Sequence, residues 1–248
     1  GNFGGVENIL RTKSELYHHL IQHKGQVWIN SNQAVLMNMS KRFEAPLFYP
    51  NADDFYSGTF LEASPYVKFT ADNGEEVQSQ LVGSYNFDNI AAALCIGKYF
   101  EVDPKSANEA IEEYISANNR SQIIKKKTNT IIMDAYNANP SSMEVAISNL
   151  GQMKGEKKVA ILGDMYELGD ESDEEHRKLG ELVEAENFDE VYFCGKLIKV
   201  ALEFCPNAAY FEEKQSLAKT LKQKQYEHTL ILLKASRGIG LETILNDL

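Results

Sequence analysis

Three polar side chains, Asp134, Tyr136 and Asn137, stand directly after a short apolar run at residues 130–133. A run of this length is typical of a buried strand in a parallel sheet. Open α/β sheets bind their ligands where such strands end, and the start of the next helix does not require these three residues. We therefore expect them to bind a ligand.

Asn139 and Pro140 are expected to serve the fold instead. Proline suits the first position of a helix because its missing N–H has no partner there, and an asparagine before it can cap the helix. Apolar residues then recur with helical spacing, which predicts a helix over 140–151 that lies on a sheet. These residues are Met143, Ala146, Ile147 and Leu150.

An acidic loop follows a second predicted strand at residues 158–162. Ser172 and Glu175 have the spacing of a capping box at the start of the next helix. Asp164 at the strand end and Glu167 in the loop have no such structural reason. Their carboxylates could hold a metal ion or a cationic amine.

The segment after the last predicted strand is suited to an anion. Ser236 and Arg237 lie where a strand ends and a helix begins, and the free N–H groups of a helix start attract negative charge. The nearby glycines do not complete the GxGxxG pattern of dinucleotide-binding loops, because Thr243 stands at the third position.

Asn86 and Asn89 lie in the first turn of a predicted helix over 87–99. Asn86 is the natural residue to cap that helix. Asn89 offers a paired donor and acceptor, which suits the edge of a nucleobase. Both interpretations remain open from this stretch alone.

Lys13 falls seven residues after Val6 on a predicted helix over 6–23, and therefore on the same apolar stripe. Such a lysine usually covers apolar surface with its stem and keeps its charge in water. A buried amine instead loses its proton readily. A neutral lysine can take up carbon dioxide as a carbamate, which supplies an oxygen ligand for Mg²⁺.

The composition excludes several classes of protein. Hydrophobic residues make up 43% of the 248 residues, and the net charge is −11. This charge argues against a nucleic-acid partner, which requires a basic surface, and no apolar run is long enough for membrane insertion. The three scattered cysteines lack metal-ligand spacing and predict reduced thiols in the cytoplasm.

A regular alternation of strands and helices begins near residue 130. It predicts an α/β fold with a Rossmann-like domain at residues 122–248, in which helices cover a parallel sheet. The predicted strands are 130–133, 158–162, 190–193, 208–211 and 229–233, and the predicted helices are 140–151, 173–186, 196–203, 214–224 and 239–247.

Residues 1–121 contain too few predicted strands for a complete α/β domain. A strand at 26–29 precedes a β-rich stretch at 47–82, in which Asp72-Asn-Gly74 predicts a hairpin turn, and a helix over 104–117 closes this half. The chain also starts without an initiator methionine. We expect it to be a piece of a longer protein.

Four segments, in order along the chain, resemble motifs of the Mur ligase family. DAYNANPSSM at 134–143 and GDMYELG at 163–169, followed by His176, resemble the member that joins D-alanyl-D-alanine to UDP-MurNAc-tripeptide. KASRGIGLE at 234–242 is similar to K-G-S-R-x-x-x-L-E, with Ala235 for glycine. GSYNFDN at 83–89 is similar to G-x-H-N-x-x-N, with Tyr85 for histidine.

The resemblance implies a parent with a UDP-sugar domain, a P-loop ATPase domain and a Rossmann-like C-terminal domain. Residues 1–121 would then be the back part of the ATPase domain. The GxxxxGK[ST] motif of the triphosphate loop does not occur in this sequence. The chain by itself is therefore expected to be inactive.

The resemblance also implies contacts with ATP and Mg²⁺. Asn86 and Asn89 would approach the adenine, with Tyr85 beside them, and Asp134 would bind the ribose, with Asn137 beside it. Two further residues are implied to be catalytic. Lys13 matches the lysine that relatives carry as a carbamate on Mg²⁺, and Arg120 the arginine near the nucleotide phosphates.

The remaining motif residues are expected to contact the substrates, UDP-MurNAc-tripeptide and D-alanyl-D-alanine. Asp164 and Glu167 suit the incoming amine, and Ser236 and Arg237 suit a carboxylate. His176 and Lys234 belong to the same two motifs and are assigned to substrate binding with them.

The implied reaction is ATP-dependent amide bond formation through an acyl phosphate. One alternative is another ligase of the superfamily, such as a folylpolyglutamate synthetase, although residues 136–139 count against it. A second alternative is a nucleotide- or peptide-binding module without catalysis, which the missing triphosphate motif favours for this chain.

Overall fold

The computed structural model describes residues 6–116 and 122–248. The described residues up to Ile115 form one compact unit, and those from Ser116 onward form another. Arg120 lies outside the described residues. None of the described helices is both long and apolar enough to cross a membrane.

The first unit combines two small sheets with four helices among its described residues. In chain order its elements are α1 (Val6–Gln22), β1 (Trp28–Asn30), α2 (Ala34–Ser40), β2 (Leu47–Tyr49), β3 (Thr59–Ala63), β4 (Tyr66–Thr70), β5 (Glu76–Val82), α3 (Asn86–Tyr99) and α4 (Pro104–Glu113). Strands β1 and β2 pair in parallel, whereas β3, β4 and β5 form an antiparallel sheet. The predicted hairpin is confirmed, and Gly74 adopts the positive φ of 84° that its turn requires.

The second unit is built on a sheet with the strand order β10-β9-β8-β11-β7-β6. Its strands are β6 (Gln122–Lys126), β7 (Asn129–Asp134), β8 (Lys157–Gly163), β9 (Glu190–Cys194), β10 (Ala209–Phe211) and β11 (Thr229–Lys234). Five strands run in parallel, and β6 pairs antiparallel with β7 at the edge. The predicted α/β fold is therefore confirmed, but β6 was not predicted.

Helices cover both faces of this sheet, as a parallel sheet requires. Helices α5 (Pro140–Gln152) and α6 (Ser172–Glu186) bury their apolar stripes on one face, and α7 (Lys214–Leu221) lies on the other. The central strand β11 is buried throughout. Its residues Leu230 and Leu232 belong to one core, and Ile231 and Leu233 to the other.

Two predicted helices of this unit are 3₁₀ helices instead. The segment predicted at 196–203 forms a 3₁₀ helix over Ile198–Glu203, and the one predicted at 239–247 forms two short 3₁₀ helices, Arg237–Ile239 and Leu241–Asp247. The burial of apolar residues is nevertheless as expected, because Ile198, Ala201, Leu241 and Ile244 all lie in the two cores.

The start of α5 confirms the predicted cap. Asn139 has extended backbone, its Oδ1 accepts from Ser142 N at 2.9 Å, and Ser142 Oγ accepts from Asn139 N at 3.1 Å. Pro140 occupies the first helical position. Two N–H groups that helix geometry leaves without partners are thus satisfied.

The predicted capping box of α6 is wrong. A 3₁₀ turn over Gly169–Glu171 runs directly into the helix, so Ser172 already has helical angles of −54° and −50°. A residue in this conformation cannot place its hydroxyl over the following N–H groups as a cap does. The acidic residues Asp173 and Glu174 still favour this helix start through the macrodipole.

Replacing Asn139 by alanine should lower the free energy of unfolding by about 1 kcal/mol, because the side-chain acceptor of the cap is lost. Urea unfolding followed by circular dichroism measures the change. Lys154→Ala, on an exposed residue of the same unit, is the matched control and should change it by less than about 0.5 kcal/mol. Equal effects of the two substitutions would contradict the role of the cap.

Candidate functional site at the carboxyl ends of three strands

Three loops meet at the carboxyl ends of the neighbouring strands β7, β11 and β8. They cover residues 134–139, 164–169 and 235–238, which carry three of the four motifs. Lys234, the last residue of β11, is in register with Asp134 on β7 and Leu162 on β8. Pairing of strands that are distant in sequence therefore assembles the motifs at one edge of the sheet.

Lys234 is buried and connects β11 to the end of β7 and the loop that follows it. Its side chain is 1% exposed, and Nζ lies 2.5 Å from Asp134 Oδ2 and 3.3 Å from the Asn137 carbonyl oxygen. A buried ammonium is tolerated only when it is paired in this way. The assignment of Lys234 to substrate contact is therefore corrected, because its charge is already used inside the protein.

Asp164 is also used inside the protein. It is 3% exposed, and its two carboxylate oxygens accept from the backbone N–H groups of Ile198 at 2.9 Å and Lys196 at 3.1 Å. Gly195 has a φ of 129°, and a Cβ there would lie 2.3 Å from Asp164 Oδ1. The carboxylate holds the loop after β9, which corrects its assignment to the incoming amine.

His176 has both ring nitrogens engaged and is fully buried. Its Nε2 accepts from Met165 N at 3.0 Å, and its Nδ1–H donates to the Ser172 carbonyl oxygen at 2.7 Å. These bonds fix the tautomer and tie α6 to the loop after β8. The predicted substrate contact of His176 is therefore wrong in this structure.

Ser236 connects all three loops. Its N–H donates to the Asp164 carbonyl oxygen at 2.9 Å, and its Oγ accepts from Tyr166 N at 2.9 Å and donates to the Ala138 carbonyl oxygen at 3.5 Å. The residue is 3% exposed. Its hydroxyl therefore holds the loops together and is not presented to an anion, contrary to the expectation.

The exposed part of the site is formed by other residues of the same loops. The Arg237 guanidinium lies 5.4 Å from the centre of the Tyr136 ring, as in a cation–π contact. Asn137 and Glu167 are exposed, and Glu167 has a positive φ of 66°. These side chains, and not the buried ones, can contact a ligand.

Tyr166 is a surface residue of the site that sequence analysis missed. Its ring covers Gly238, where an added Cβ would lie 2.6 Å from Cε2. Burial and the nearby Asp164 charge raise the pKa of its phenol above the ordinary value, so the group is a neutral donor. An aromatic residue between two motif acids could have been noticed as a candidate, but no spacing rule singles it out.

Comparison with known proteins finds similarity over the segments that form this site. Residues 119–237 match the family described as Mur ligase, glutamate ligase domain. The UDP-N-acetylmuramoyl-tripeptide--D-alanyl-D-alanine ligase of Bacillus subtilis is 35% identical over 176 residues, which are 68% of this chain and 38% of that protein.

Two solved structures extend the similarity to nearly the whole chain. MurF from Acinetobacter baumannii is 26% identical with a TM-score of 0.82, over 100% of this chain and 56% of that one. The MurF ligase of Thermotoga maritima in complex with ADP is 25% identical with a TM-score of 0.77, over 99% of this chain and 57% of that one. This chain belongs to the Mur ligase family. It spans about half the length of these relatives.

The family resemblance implies adenine contacts for three residues of the first unit, Tyr85, Asn86 and Asn89. Asn86 is buried, with Nδ2 donating to the Val82 carbonyl oxygen at 2.7 Å and Oδ1 accepting from Asn89 Nδ2 at 3.0 Å. The capping role of Asn86 is therefore wrong, since its amide joins the helix to the end of β5. Asn89 and Tyr85 are exposed, and their contact with adenine stays a prediction.

Lys13, which the family resemblance implies as a carbamate on Mg²⁺, lies on α1. Lys13 is exposed, and so are its neighbours Leu10 and Leu16 at 41% and 61%. The exposure of Lys13 agrees with a side chain that keeps its charge in water, and a carbamate at Lys13 stays a prediction. No group of three or more His, Cys, Asp or Glu in the described ranges could hold a metal ion. Among the described residues, side chains of these four types alone therefore do not form a Mg²⁺ site.

The ion pair of Asp134 and Lys234 leads to a prediction for the free energy of unfolding. Asp134→Ala should cost about 3–5 kcal/mol of unfolding free energy, because it leaves the Lys234 ammonium buried without its partner. The double variant Asp134→Ala/Lys234→Met should recover at least half of that loss, since no charge is then buried. Chemical unfolding of the single and double variants measures both values. Additive losses would show that the two side chains do not depend on each other.

His176→Ala should release the loop after β8, because the Met165 N–H loses its acceptor in a dry environment. We expect an unfolding cost of about 2–4 kcal/mol and faster exchange of the Met165 amide, measured by hydrogen exchange with NMR detection. His18→Ala, on an exposed residue of α1, is the control. Unchanged protection of Met165 in the His176 variant would refute this role.

Proposed function

We propose that this chain is part of an ATP-dependent ligase that adds D-alanyl-D-alanine to UDP-MurNAc-tripeptide. The observation that carries the proposal is that two neighbouring loops of the site each carry one exposed side chain of opposite charge, Arg237 and Glu167. Arg237 is held over the Tyr136 ring on one loop, and Glu167 projects from another. A dipeptide with a free amine and a free carboxylate matches such a pair.

Arg237 is the proposed contact for the dipeptide carboxylate. A guanidinium can donate two parallel hydrogen bonds to a carboxylate, and stacking on an aromatic ring restricts its orientation beforehand. Glu167 is the proposed contact for the amine before attack. Glu167 and Arg237 thus keep the roles expected from the sequence, whereas the polar groups of Asp164 and Ser236 are bonded within the protein.

The proposed reaction has two chemical steps. The terminal carboxylate of the tripeptide attacks the γ-phosphorus of ATP and forms an acyl phosphate with release of ADP. The neutral amine of D-alanyl-D-alanine then attacks the acyl carbon, and phosphate leaves as the amide forms. The amine must lose a proton before or during attack, so a carboxylate such as Glu167 can orient the amine and accept its proton.

Asp134 and Asn137 remain the proposed contacts for the nucleotide in the second unit. Asp134 has a partly exposed side chain, and the backbone of Asn137 is fixed by its bond to Lys234. The bound ADP named for the Thermotoga maritima relative supports a nucleotide as the ligand of this family. The neighbouring loops would then bring the nucleotide and the dipeptide to the same edge of the sheet.

This chain alone is proposed to be inactive. Phosphoryl transfer depends on backbone N–H groups and a lysine around the β- and γ-phosphates, and the sequence contains no GxxxxGK[ST] loop. The test compares the chain with the complete gene product in ATP, Mg²⁺, UDP-MurNAc-tripeptide and D-alanyl-D-alanine. Phosphate release and the product mass are measured. Only the complete protein should form the tripeptide–dipeptide amide.

A substrate panel separates the alternatives. Glutamate addition to a folate by the complete protein would identify the folylpolyglutamate type of ligase and overturn the proposal. Nucleotide binding without turnover of either substrate set would indicate a binding module.

Arg237→Lys in the complete protein should raise KM for D-alanyl-D-alanine at least tenfold and leave KM for ATP within twofold. Lysine keeps the charge but loses the two-pronged donor and the stacking on Tyr136. Steady-state kinetics with each substrate varied in turn measures the effect. Arg177→Lys, at a half-buried arginine of α6 that pairs with Glu203, is the control. Equal increases for ATP and the dipeptide in the Arg237 variant would assign it a structural role.

A further inference from the structure

Two histidine side chains stack on each other at the carboxyl end of α1, in the first unit. The ring centres of His19 and His23 lie 4.1 Å apart, and the ring planes differ by 29°. His19 lies in the last turn of the helix, and His23 directly follows its last residue, Gln22. The two histidines are four positions apart, a spacing that places side chains on the same face of a helix. Neither belongs to the four motifs.

One of the two rings is already held in the state that binds a metal ion. His23 Nδ1 lies 2.8 Å from the His19 carbonyl oxygen, which also accepts from the His23 backbone N–H at 3.0 Å. Because a carbonyl oxygen only accepts, Nδ1 carries the proton, and in the neutral ring Nε2 keeps a free lone pair. Histidines that bind metals are oriented in the same way, by donating the other ring N–H to a backbone carbonyl. The bond therefore presents His23 Nε2 as a ligand.

The end of α1 is fixed on one side and open on the other. Tyr17 contacts Phe43 with ring centres 5.8 Å apart, and Leu20 and Ile21 are half-buried. Both histidine rings, in contrast, are exposed. The macrodipole is negative at this end of a helix and favours a positive ion there. The two imidazoles are thus carried on an anchored helix end and remain accessible to an ion from solution.

From the stacked pair and the oriented ring we infer that His19 and His23 bind one late first-row divalent cation such as Zn²⁺. Imidazole suits Zn²⁺, Cu²⁺ and Ni²⁺, whereas Mg²⁺ prefers oxygen ligands. Two histidines four residues apart on a helix also form the Zn²⁺-binding pair of the HExxH motif. Water fills the remaining coordination positions, since no third His, Cys, Asp or Glu joins the pair within the described ranges.

The distance between the rings is compatible with a shared ion. Zn–N bonds of about 2.0–2.1 Å place two nitrogen ligands of a tetrahedral Zn²⁺ about 3.3 Å apart. The ring centres are 4.1 Å apart, and exposed rings at this separation can reach the required spacing by rotation about their side-chain bonds. The backbone of α1 does not have to move.

The site can be tested with the metal alone. ZnCl₂ is titrated into the chain labelled with ¹⁵N in its histidine rings, and NMR spectra of the ring nitrogens follow each of the five histidines. Zn²⁺ should shift the ring signals of His19 and His23 saturably, with one ion per chain, and should leave those of His176 and His228 unchanged. MgCl₂ at the same concentrations should shift none of them. The absence of a saturable Zn²⁺ shift at His19 and His23 would overturn the inference.

Single substitutions test whether both imidazoles hold the same ion. His19→Ala and His23→Ala should each weaken Zn²⁺ binding about tenfold or more, because the gain from two ligands on one rigid element is lost. His18→Ala, at an exposed histidine of α1 outside the stacked pair, is the matched control and should leave the affinity unchanged. Circular dichroism verifies that each variant keeps its helices. Equal weakening by all three substitutions would contradict the site.

Hydrogen exchange distinguishes an ion that bridges the pair from one that binds a single ring. Saturating Zn²⁺ should slow exchange of the His23 amide, because a bridged ion ties the last turn of α1 together. The effect should disappear in His19→Ala. Unchanged exchange at saturation would show that the ion does not connect the two residues and would refute the proposed site. No ligase substrate enters these measurements, so their result does not depend on the proposed function.

Discussion

The candidate site depends on one buried charge. The Lys234 ammonium is almost entirely removed from water, and such a group destabilises a protein unless an opposite charge and further acceptors surround it. Asp134 and the Asn137 carbonyl oxygen supply them, both from the neighbouring strand and its loop. The ends of β7 and β11 are therefore held together, and the loop that carries Tyr136 is held with them.

The other buried polar residues of the motifs also support the loops, and they do not face a ligand. Asp164, His176 and Ser236 have their polar atoms bonded to backbone groups of adjacent loops, and each is nearly or fully buried. Their bonds restrict the loops, while Arg237 and Glu167 on the outside remain accessible. A preorganised site needs such a supporting layer, because loosely held contacts lose binding energy when they become ordered.

Sequence patterns were sufficient to predict the strands and helices that position this site. The alternation of strands and helices and the Asn139 cap were predicted because both follow from local spacing and local chemistry. Burial of the motif residues was not predicted. Lys234 and Asp134 are 100 residues apart, so only the pairing of β7 with β11 shows that they neutralise each other. The sequence left the burial of Lys13 open for a related reason, since a helical stripe indicates a face but not whether another element covers it.

The alanine at position 235 shows how the same supporting layer accommodates a departure from the family pattern. Ala235 is fully buried, and its Cβ lies 2.7 Å from the place where a Cβ on Gly163 would stand. Its methyl group therefore occupies space that a glycine on the neighbouring strand leaves open. Ala235 is not one of the described residues with a positive φ. The backbone at this position therefore does not require glycine. The Ala235 methyl group is accommodated in the core between β8 and β11, which is why this departure from glycine does not argue against the proposed site.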